Sequence, residues 1–359
     1  VSEEVSKIKT DAFYMRLAIA AAKQGHYQTW KNPLVGAVIV KHGRVLATGY
    51  HKRYGEPHAE RNAIAKLTPE QLFNSTLYVT LEPCNHFGKQ PPCSDLVAAS
   101  GIRRVVIAQV DPHQLVTGKG IAKLKQKGLD VTVGVLQAEA SQLNPFYNYF
   151  YQHQRPWITI KEAVSLDNKA GLFQQRTQIT NQLVYEQVHQ ERAEYQAIMI
   201  GSNTALIDNP HLNTSIASPF QPIKVIVDRR GRLLTHPALH LLNETGPVWL
   251  FTGNRQVKAS AFHNQNLRIS YLQTSKIAEV VKDLAAEEIQ AVYVEGGPTL
   301  EAAIINAGLA NELIKYEAPI LLGQHGLTGL VPNEQLKLIK TSQQTFGDNI
   351  RITGEIKYV

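Results

Sequence analysis

The chain has 359 residues, 43% of them hydrophobic and 19% charged, with two cysteines. At roughly 100–200 residues per domain, that length points to about two domains, and the apolar share excludes wholesale disorder. Two cysteines exclude a disulfide scaffold, no apolar run approaches the ~20 residues that cross a bilayer, and residues 1–10 carry no signal-peptide core. A cytoplasmic protein with no membrane partner is expected. The net charge of +7 lies wholly in the first part: residues 1–150 hold 18 Lys and Arg against 11 Asp and Glu, whereas residues 151–359 hold 19 against 19. A basic first half suits an anionic partner, either nucleic acid or a small phosphate, or serves solubility alone.

Residues 11–25 read as a helix, with Phe13, Leu17, Ala18, Ala21 and Ala22 at helical spacing and Gly25 as the stop. Residues 34–40 and 45–49 read as strands joined by a hairpin turn. A short helix at 58–67, a strand at 76–81, a helix at 94–100 closing on Gly101, a strand at 105–110, a helix at 121–127 ending at Gly128 and a strand at 131–135 follow. A hairpin followed by alternating helix and strand predicts a three-layer α/β domain. Residues 137–150 read as one more helix, which Pro145 must interrupt or bend. The boundary is placed at residues 153–156, giving domains of 1–152 and 153–359. The pattern then restarts: strand 157–163, helix 182–195, strand 197–200, short buried strands at 223–227 and 248–251, helix 276–288, strand 292–294, helix 300–307 capped by Gly308 and a strand at 313–322. This is a second α/β domain.

Both cysteines fall in Pro83–Cys84–Asn85–His86–Phe87–Gly88–Lys89–Gln90–Pro91–Pro92–Cys93, downstream of His58–Ala59–Glu60. Thiolates and imidazole are good zinc ligands, and a catalytic zinc takes three protein ligands and keeps one position open for water. His58, Cys84 and Cys93 supply those three. Glu60, two residues after the histidine on the same helix start, can reach the water without ligating the metal. Zinc lowers the pKa of such water toward ~7, and the glutamate then carries the proton to a leaving nitrogen. His-x-Glu followed by Pro-Cys and a second Cys is the zinc-deaminase signature, here with eight residues between the cysteines in place of two. A structural zinc would leave Glu60 without a role.

The strings Asn32–Pro33–Leu34–Val35–Gly36, Gly55–Glu56–Pro57–His58–Ala59–Glu60, Thr80–Leu81–Glu82–Pro83–Cys84 and Gly88–Lys89–Gln90–Pro91–Pro92–Cys93 resemble those of the bifunctional riboflavin-biosynthesis deaminase–reductases, the RibD family. The resemblance implies a cytidine-deaminase-like three-layer domain followed by a dihydrofolate-reductase-like α/β domain. It implies zinc-dependent deamination of a diaminopyrimidinone carrying a phosphoribosylamino group, then NADPH-dependent reduction of the ribosyl group to ribityl. The expected partner is therefore a small phosphorylated pyrimidine and not a nucleic acid, bound by a homo-oligomer. The family's substrate pocket falls on Asn32, His51, His86, Lys89 and Asp111. An amide and imidazoles near zinc can read exocyclic groups of a pyrimidine, and Lys89 can meet a phosphate. Asn32 before Pro33 also reads as a turn residue, and Lys89 as a solvated loop charge. After Asp111–Pro112 the family usually has asparagine, where this chain has His113.

In the second half, Glu295–Gly296–Gly297–Pro298 between a buried strand and a helix reads either as a phosphate-approaching turn or as a turn alone. No GxGxxG fingerprint or Walker motif occurs. With Ser165–Leu166–Asp167, the segment resembles the family's reductase half. That resemblance places cofactor positions on Val164, Thr204, Asp208, Gly297, Pro298, Thr299, Leu300, Glu301, Ala302 and Ala303, and substrate positions on Thr177, Arg192, Leu212 and Glu295. Arg192 reads as a phosphate or ribose partner, or as an exposed helix arginine beside Glu191 and Glu194. Arg229–Arg230–Gly231–Arg232 offers a place for the 2′-phosphate of NADPH or is a basic turn. Two departures fall here. The usual Gly-Glu-Ser-x-Trp-Ile-Thr reads Gln175–Arg176–Thr177–Gln178–Ile179–Thr180, without the tryptophan. Asp-Asp-Pro-x-Leu-Thr-x-Arg reads Asp208–Asn209–Pro210–His211–Leu212–Asn213–Thr214–Ser215, without the arginine. A deaminase with a weak reductase half is the alternative these departures raise. A nucleic-acid-editing deaminase would require the short Cys-x-x-Cys spacing, which is absent.

Overall fold

A computed structural model describes residues 10–87 and 91–359, and the first helix opens where the Phe13 amide donates to Thr10 Oγ1 at 3.4 Å. Within the first unit, which ends at Gln154, α1 (Asp11–Ala22) leads to a hairpin of β1 (Gly36–Lys41) and β2 (Arg44–Tyr50). His42 and Gly43 turn it with φ of 50° and 72°, the left-handed pair a tight hairpin requires. Then follow α2 (Ala59–Ile64), α3 (Pro69–Leu72), β3 (Thr76–Leu81), α4 (Cys93–Ala99), β4 (Arg104–Gln109), α5 (Lys119–Gln126) and β5 (Asp130–Val133). The sheet order is β2-β1-β3-β4-β5, antiparallel across the hairpin and β1/β3 and parallel from β3 to β5. Strand alternation sorts the core: Leu77 and Val79 join Ala59, Ala63, Val97 and Leu124 on one face, whereas Tyr78 joins Tyr14, Met15 and Ala18 on the other. Three layers result, as the alternation predicts.

The helical stretch expected over 137–150 is interrupted at Pro145, as expected, and forms two helices, α6 (Gln137–Ser141) and α7 (Pro145–His153). Proline at the first position of a helix loses no hydrogen bond, so Pro145 starts α7 where it would have broken a continuous helix.

The second unit begins at Arg155. Its elements are β6 (Trp157–Ser165), β7 (Lys169–Leu172), α8 (Gln182–Glu191), β8 (Ala197–Gly201), α9 (Ser202–Asp208), β9 (Ile223–Val227), α10 (His240–Asn243), β10 (Val248–Thr252), β11 (Leu267–Tyr271), α11 (Ile277–Ala286), β12 (Ala291–Val294), α12 (Pro298–Asn306), β13 (Glu312–Ala318), β14 (Gly326–Thr328), β15 (Leu336–Phe346) and β16 (Asn349–Tyr358). The main sheet runs β11-β10-β9-β8-β12-β6-β13-β16-β15, parallel up to β13 and antiparallel beyond. Trp249 and Phe251 face α11 and α12, and Val248 and Leu250 face Leu241 and Leu242 of α10. The strand expected over 313–322 stops at Ala318, and the long β15–β16 hairpin follows where no strand was read. Much of β15 is exposed, so its polar sequence carries no burial pattern. The chain places β12 between β6 and β8, and α9 and α12 leave the carboxyl ends of β8 and β12. In parallel sheets, the crevice outside those ends is where ligands bind.

Candidate active sites

Gly49 of β2 lies so close to α2 that a Cβ there would sit 2.3 Å from Ala59 O and 2.5 Å from Ala63 N. This approach sets the N-cap residue His58 and the first-turn Glu60 against the end of the sheet. Cys84 follows β3, and Cys93 opens α4. His58 Nδ1, Cys84 Sγ and Cys93 Sγ all lie within 4.8 Å of one another. The imidazole nitrogen is 3.6 Å from Cys84 and 3.4 Å from Cys93. The Cys93 amide donates to Cys84 Sγ at 3.3 Å and the Ser94 amide to Cys84 O at 3.1 Å, so the first turn of α4 fastens the cysteine loop. One imidazole and two thiols, with His58 and Cys84 half-buried and Cys93 buried, are a donor set suited to zinc, with three protein ligands and a fourth position left over.

The three groups are electrostatically coupled. A hydrogen bond with Cys93 holds the Cys84 thiol down at about 4, and the same bond, with burial, pushes Cys93 up. The bond to Cys84 raises His58. Glu60 is 2% exposed, and burial raises its carboxyl above the usual range. A carboxyl so placed takes up a proton more readily than one in water.

Around the cluster, His51 is buried with its ring centroid 5.4 Å from that of His58. Its Nδ1 lies 3.2 Å from Pro57 O and its Nε2 3.0 Å from Asn32 Nδ2. The carbonyl can only accept, so Nδ1 carries the proton and Nε2 accepts from the amide. Burial lowers the His51 pKa, consistent with the neutral ring. Asp111 is buried, and burial raises its carboxyl to about 6. It accepts from Tyr147 Oη at 3.0 Å and from the His113 amide at 2.9 Å. The His113 ring turns back to accept from the Leu115 amide at 3.1 Å and packs on Tyr151. His86 is exposed. Lys89 and residues 1–9 lie outside the described residues.

Three positioning groups escaped the sequence reading. Glu82 is buried, and its carboxylate accepts from the amides of Gly118, Gly120 and Ile121 at 2.9–3.1 Å and of Asp111 at 3.3 Å. It ties the cysteine-bearing end of β3 to the start of α5. Asn144, just before α7, brackets Leu34: its Oδ1 accepts from the Leu34 amide at 2.7 Å and its Nδ2 donates to Leu34 O at 2.9 Å. Tyr147 of α7 holds Asp111. The Pro145 break thus places Asn144 against Leu34 and Tyr147 against Asp111.

In the second unit, Arg192 is buried and lies in a 3-10 turn after α8, not on an exposed helix face. Its Nε and second guanidinium nitrogen donate to Glu295 Oε1 and Oε2 at 2.6 and 3.0 Å, and its other nitrogen donates to Asn213 O at 2.9 Å. Burial alone would raise the Glu295 carboxyl, but Arg192 holds it below the usual range. Lys161 on β6, missed in the sequence, has its Nζ 4.0 Å from Glu295 Oε2. Its charge also lowers Asp208 and Glu301, which burial raises. A lysine followed by Glu162 inside an apolar strand was the available signal. Leu212 is buried with a left-handed φ of 53°. Thr177 Oγ1 accepts from the Leu172 amide at 2.9 Å and so closes the turn after β7.

The expected cofactor positions gather where β6, β8 and β12 end. Val164 is fully buried on β6. Gly297 is the N-cap of α12, and a Cβ there would meet Thr204 Oγ1 of α9 at 3.7 Å. Pro298, Thr299, Leu300, Glu301, Ala302 and Ala303 form the first turns of α12, with Thr299 exposed and Leu300 and Glu301 buried. Among the described residues, Glu301 Oε2 is a buried polar atom with no partner. A bare glycine turn at a helix start and an orphaned buried carboxyl fit a phosphate-bearing cofactor with a hydrogen-bonding ring. In the basic turn after β9, Arg232 donates to Ser202 Oγ of α9 at 2.6 Å, whereas Arg229 and Arg230 are exposed.

Residues 8–109 match the cytidine and deoxycytidylate deaminase zinc-binding region, and residues 156–352 match the RibD C-terminal domain. The riboflavin biosynthesis protein RibD of Bacillus amyloliquefaciens is 37% identical over 359 residues, covering 96% of each chain. That of Escherichia coli strain K12 is 36% identical over 346 residues, covering 91% of this chain and 93% of the other. The structure of Acinetobacter baumannii RibD, form 2, superposes with a TM-score of 0.88 at 32% identity, covering 98% of this chain and all of that one. A Thermotoga maritima diaminohydroxyphosphoribosylaminopyrimidine deaminase/5-amino-6-(5-phosphoribosylamino)uracil reductase superposes at 0.83 with 30% identity, covering 97% of this chain and 99% of the other. Among the described residues, no helix is long and apolar enough to cross a membrane. With a thiol–imidazole cluster in its zinc-binding deaminase half and an NADPH-using reductase half, the chain belongs to the RibD family of bifunctional riboflavin-biosynthesis enzymes.

Proposed function

We propose that residues 1–152 deaminate 2,5-diamino-6-(5-phosphoribosylamino)pyrimidin-4-one and that residues 153–359 reduce the ribosyl group of the product to ribityl. The observation that carries the reading is the convergence of His58 Nδ1, Cys84 Sγ and Cys93 Sγ within 4.8 Å, beside the buried Glu60. His58, Cys84 and Cys93 would hold zinc, which would supply Lewis acidity toward water. Glu60 is the group that accepts a proton from water and delivers it to the departing amine, so that water replaces the amino group and ammonia leaves. Asn32, held by His51, and Asp111, held by Tyr147 and by the Glu82-bound loop, orient the pyrimidine. His86 reads the pyrimidine's exocyclic groups and Lys89 serves the ribose phosphate, in keeping with the basic balance of this half.

In the reductase half, NADPH supplies the reducing equivalents. The glycine turn and α12, with Val164, Thr204, Asp208 and residues 297–303, bind it, and Arg232 with its basic turn serves the 2′-phosphate. Glu295, set by Arg192 and Lys161, binds the ribose, with Thr177 and Leu212 lining the same pocket. The enzyme works in the cytoplasm as a homo-oligomer, on a small phosphorylated pyrimidine and not on nucleic acid.

Anaerobic incubation of the full chain with the diaminopyrimidine, with and without NADPH, followed by mass analysis, tests this. The expected product without NADPH has lost an amino group and gained oxygen, and with NADPH it gains two hydrogens as well. Deamination without reduction would support the weak-reductase reading, which the missing tryptophan at 175–180 and Ser215 in place of arginine favour. No deamination by zinc-loaded enzyme would overturn the proposal.

A further inference from the structure

In the second unit, the loop that departs from the family's pattern carries a second group of ligand-type side chains. His211, His240 and Glu244 bring one ligand atom each within 4.8 Å of the others. His240 opens α10 and Glu244 follows its last residue, so the two are four residues apart and share one face of the turn. His211 comes from the segment after α9, and its Nδ1 contacts Glu244 Oε1. The imidazoles of His211 and His240 stack with centroids 4.1 Å apart. Asn209 Oδ1 accepts from the His240 amide at 2.8 Å, a separate bond that fixes the loop to the start of α10. Lys224 Nζ lies 3.5 Å from Glu244 Oε2, which leaves Oε1 as the oxygen turned to the histidines. The side chain of His211 is 53% exposed and His240 is exposed too, so an ion can enter from solvent and keep water in its remaining positions.

We propose that His211, His240 and Glu244 form a binding site for a borderline divalent transition-metal ion, separate from the thiolate cluster. Two imidazoles and one carboxylate select zinc, nickel, cobalt or copper over magnesium or calcium, whose preferred sites are built of oxygen alone. The ion clips the 209–213 loop to α10. That loop is the one whose Asn213 carbonyl receives Arg192, and both Asn209 and Leu212 in it adopt left-handed φ, at 43° and 53°. Non-glycine residues hold that conformation only where surrounding contacts impose it. Binding to the folded loop and not to the unfolded chain raises the stability of the unit by mass action.

The test uses the full chain with its thiolate site already loaded with zinc. Ni2+ is titrated in, with the bound metal counted by elemental analysis after gel filtration and the heat of binding recorded. Wild type is expected to take up one nickel per chain beyond the resident zinc and to melt at a higher temperature with it. His240→Ala and Glu244→Gln are each expected to lose that equivalent while keeping the resident zinc, because His240 is exposed and Glu244→Gln keeps the shape of a half-buried side chain that still faces Lys224. His236→Ala, at a neighbouring exposed histidine outside the group, is expected to bind as wild type does. The proposal is overturned if wild type binds no additional metal, if His240→Ala retains it, or if His236→Ala loses it. The metal count and the melting shift do not depend on either enzymatic activity.

Discussion

Arg192 and Glu295, 103 residues apart in sequence, form a buried two-point ion pair with N–O distances of 2.6 and 3.0 Å. The pair joins the turn after α8 to the end of β12, beside the start of α12. Breaking a buried pair by removing one partner costs about 3–5 kcal/mol, because the remaining charge loses its compensation. Arg192→Ala should therefore lower the melting temperature and raise the reductase KM, since Glu295 is then left with Lys161 at 4.0 Å and the more distant His189. Deamination should be unaffected. An unchanged melt and an unchanged KM would show that the pair serves neither stability nor substrate.

Glu60→Gln separates proton transfer from metal binding. The amide preserves shape but cannot accept the proton, so deamination should fall by roughly 10²–10⁴-fold or more. Zinc content should hold and reduction of pre-deaminated substrate should continue at its normal rate. A chelator should reproduce the loss of deamination and spare reduction. An emptied metal site in Glu60→Gln would make Glu60 a ligand, and a joint loss of both activities with zinc retained would contradict two separate sites.

Cys93→Ser exchanges a soft thiolate for a hydroxyl at the start of α4. A hydroxyl is a poor ligand in a three-ligand site, so zinc occupancy measured by elemental analysis should drop sharply. Full occupancy would remove Cys93 from the ligand set.

Glu82→Ala should unfasten the loop between β4 and α5 without touching a zinc ligand. Four backbone amides lose their acceptor. Unsatisfied buried donors cost about 1–3 kcal/mol each before water enters. A loss of several kcal/mol in chemical denaturation is expected, together with a raised deaminase KM through the displaced Asp111. Wild-type values for both would leave Glu82 as a dispensable cap.

Asp111 sets a pH dependence of opposite sign to an ordinary ion-paired carboxylate. Its folded pKa, raised by burial to about 6, lies above the ordinary aspartate value of 3.8. Between those values the unfolded chain has released the proton and the folded chain keeps it, so this group's contribution to stability falls as pH rises through that window and levels off above about 6. The two-unit difference bounds the effect at about 3 kcal/mol. Asp111→Asn should remove this slope, which unfolding curves at a series of pH values would reveal. A slope identical to wild type would place the titration elsewhere.

Much of the architecture is legible in the residues alone. Helical and alternating periodicity reports which face of an element is buried, and that places strands such as Thr76–Leu81 and the helix stops at Gly101, Gly128 and Gly308. The zinc candidates are legible for a different reason: two cysteines and a His-x-Glu at short spacing are scarce residue types with few structural uses together. What periodicity does not carry is pairing between distant segments. That Asn144 would bracket Leu34, that Glu82 would gather the amides of Gly118 and Gly120, and that Arg192 would be buried on Glu295 follow from the strand order of each sheet, β3 beside β4 in the first unit and β12 between β6 and β8 in the second. Each of those polar groups is compatible locally with an exposed position. Burial forces each to find a partner, and the partner is whichever group the sheet order brings within hydrogen-bond reach.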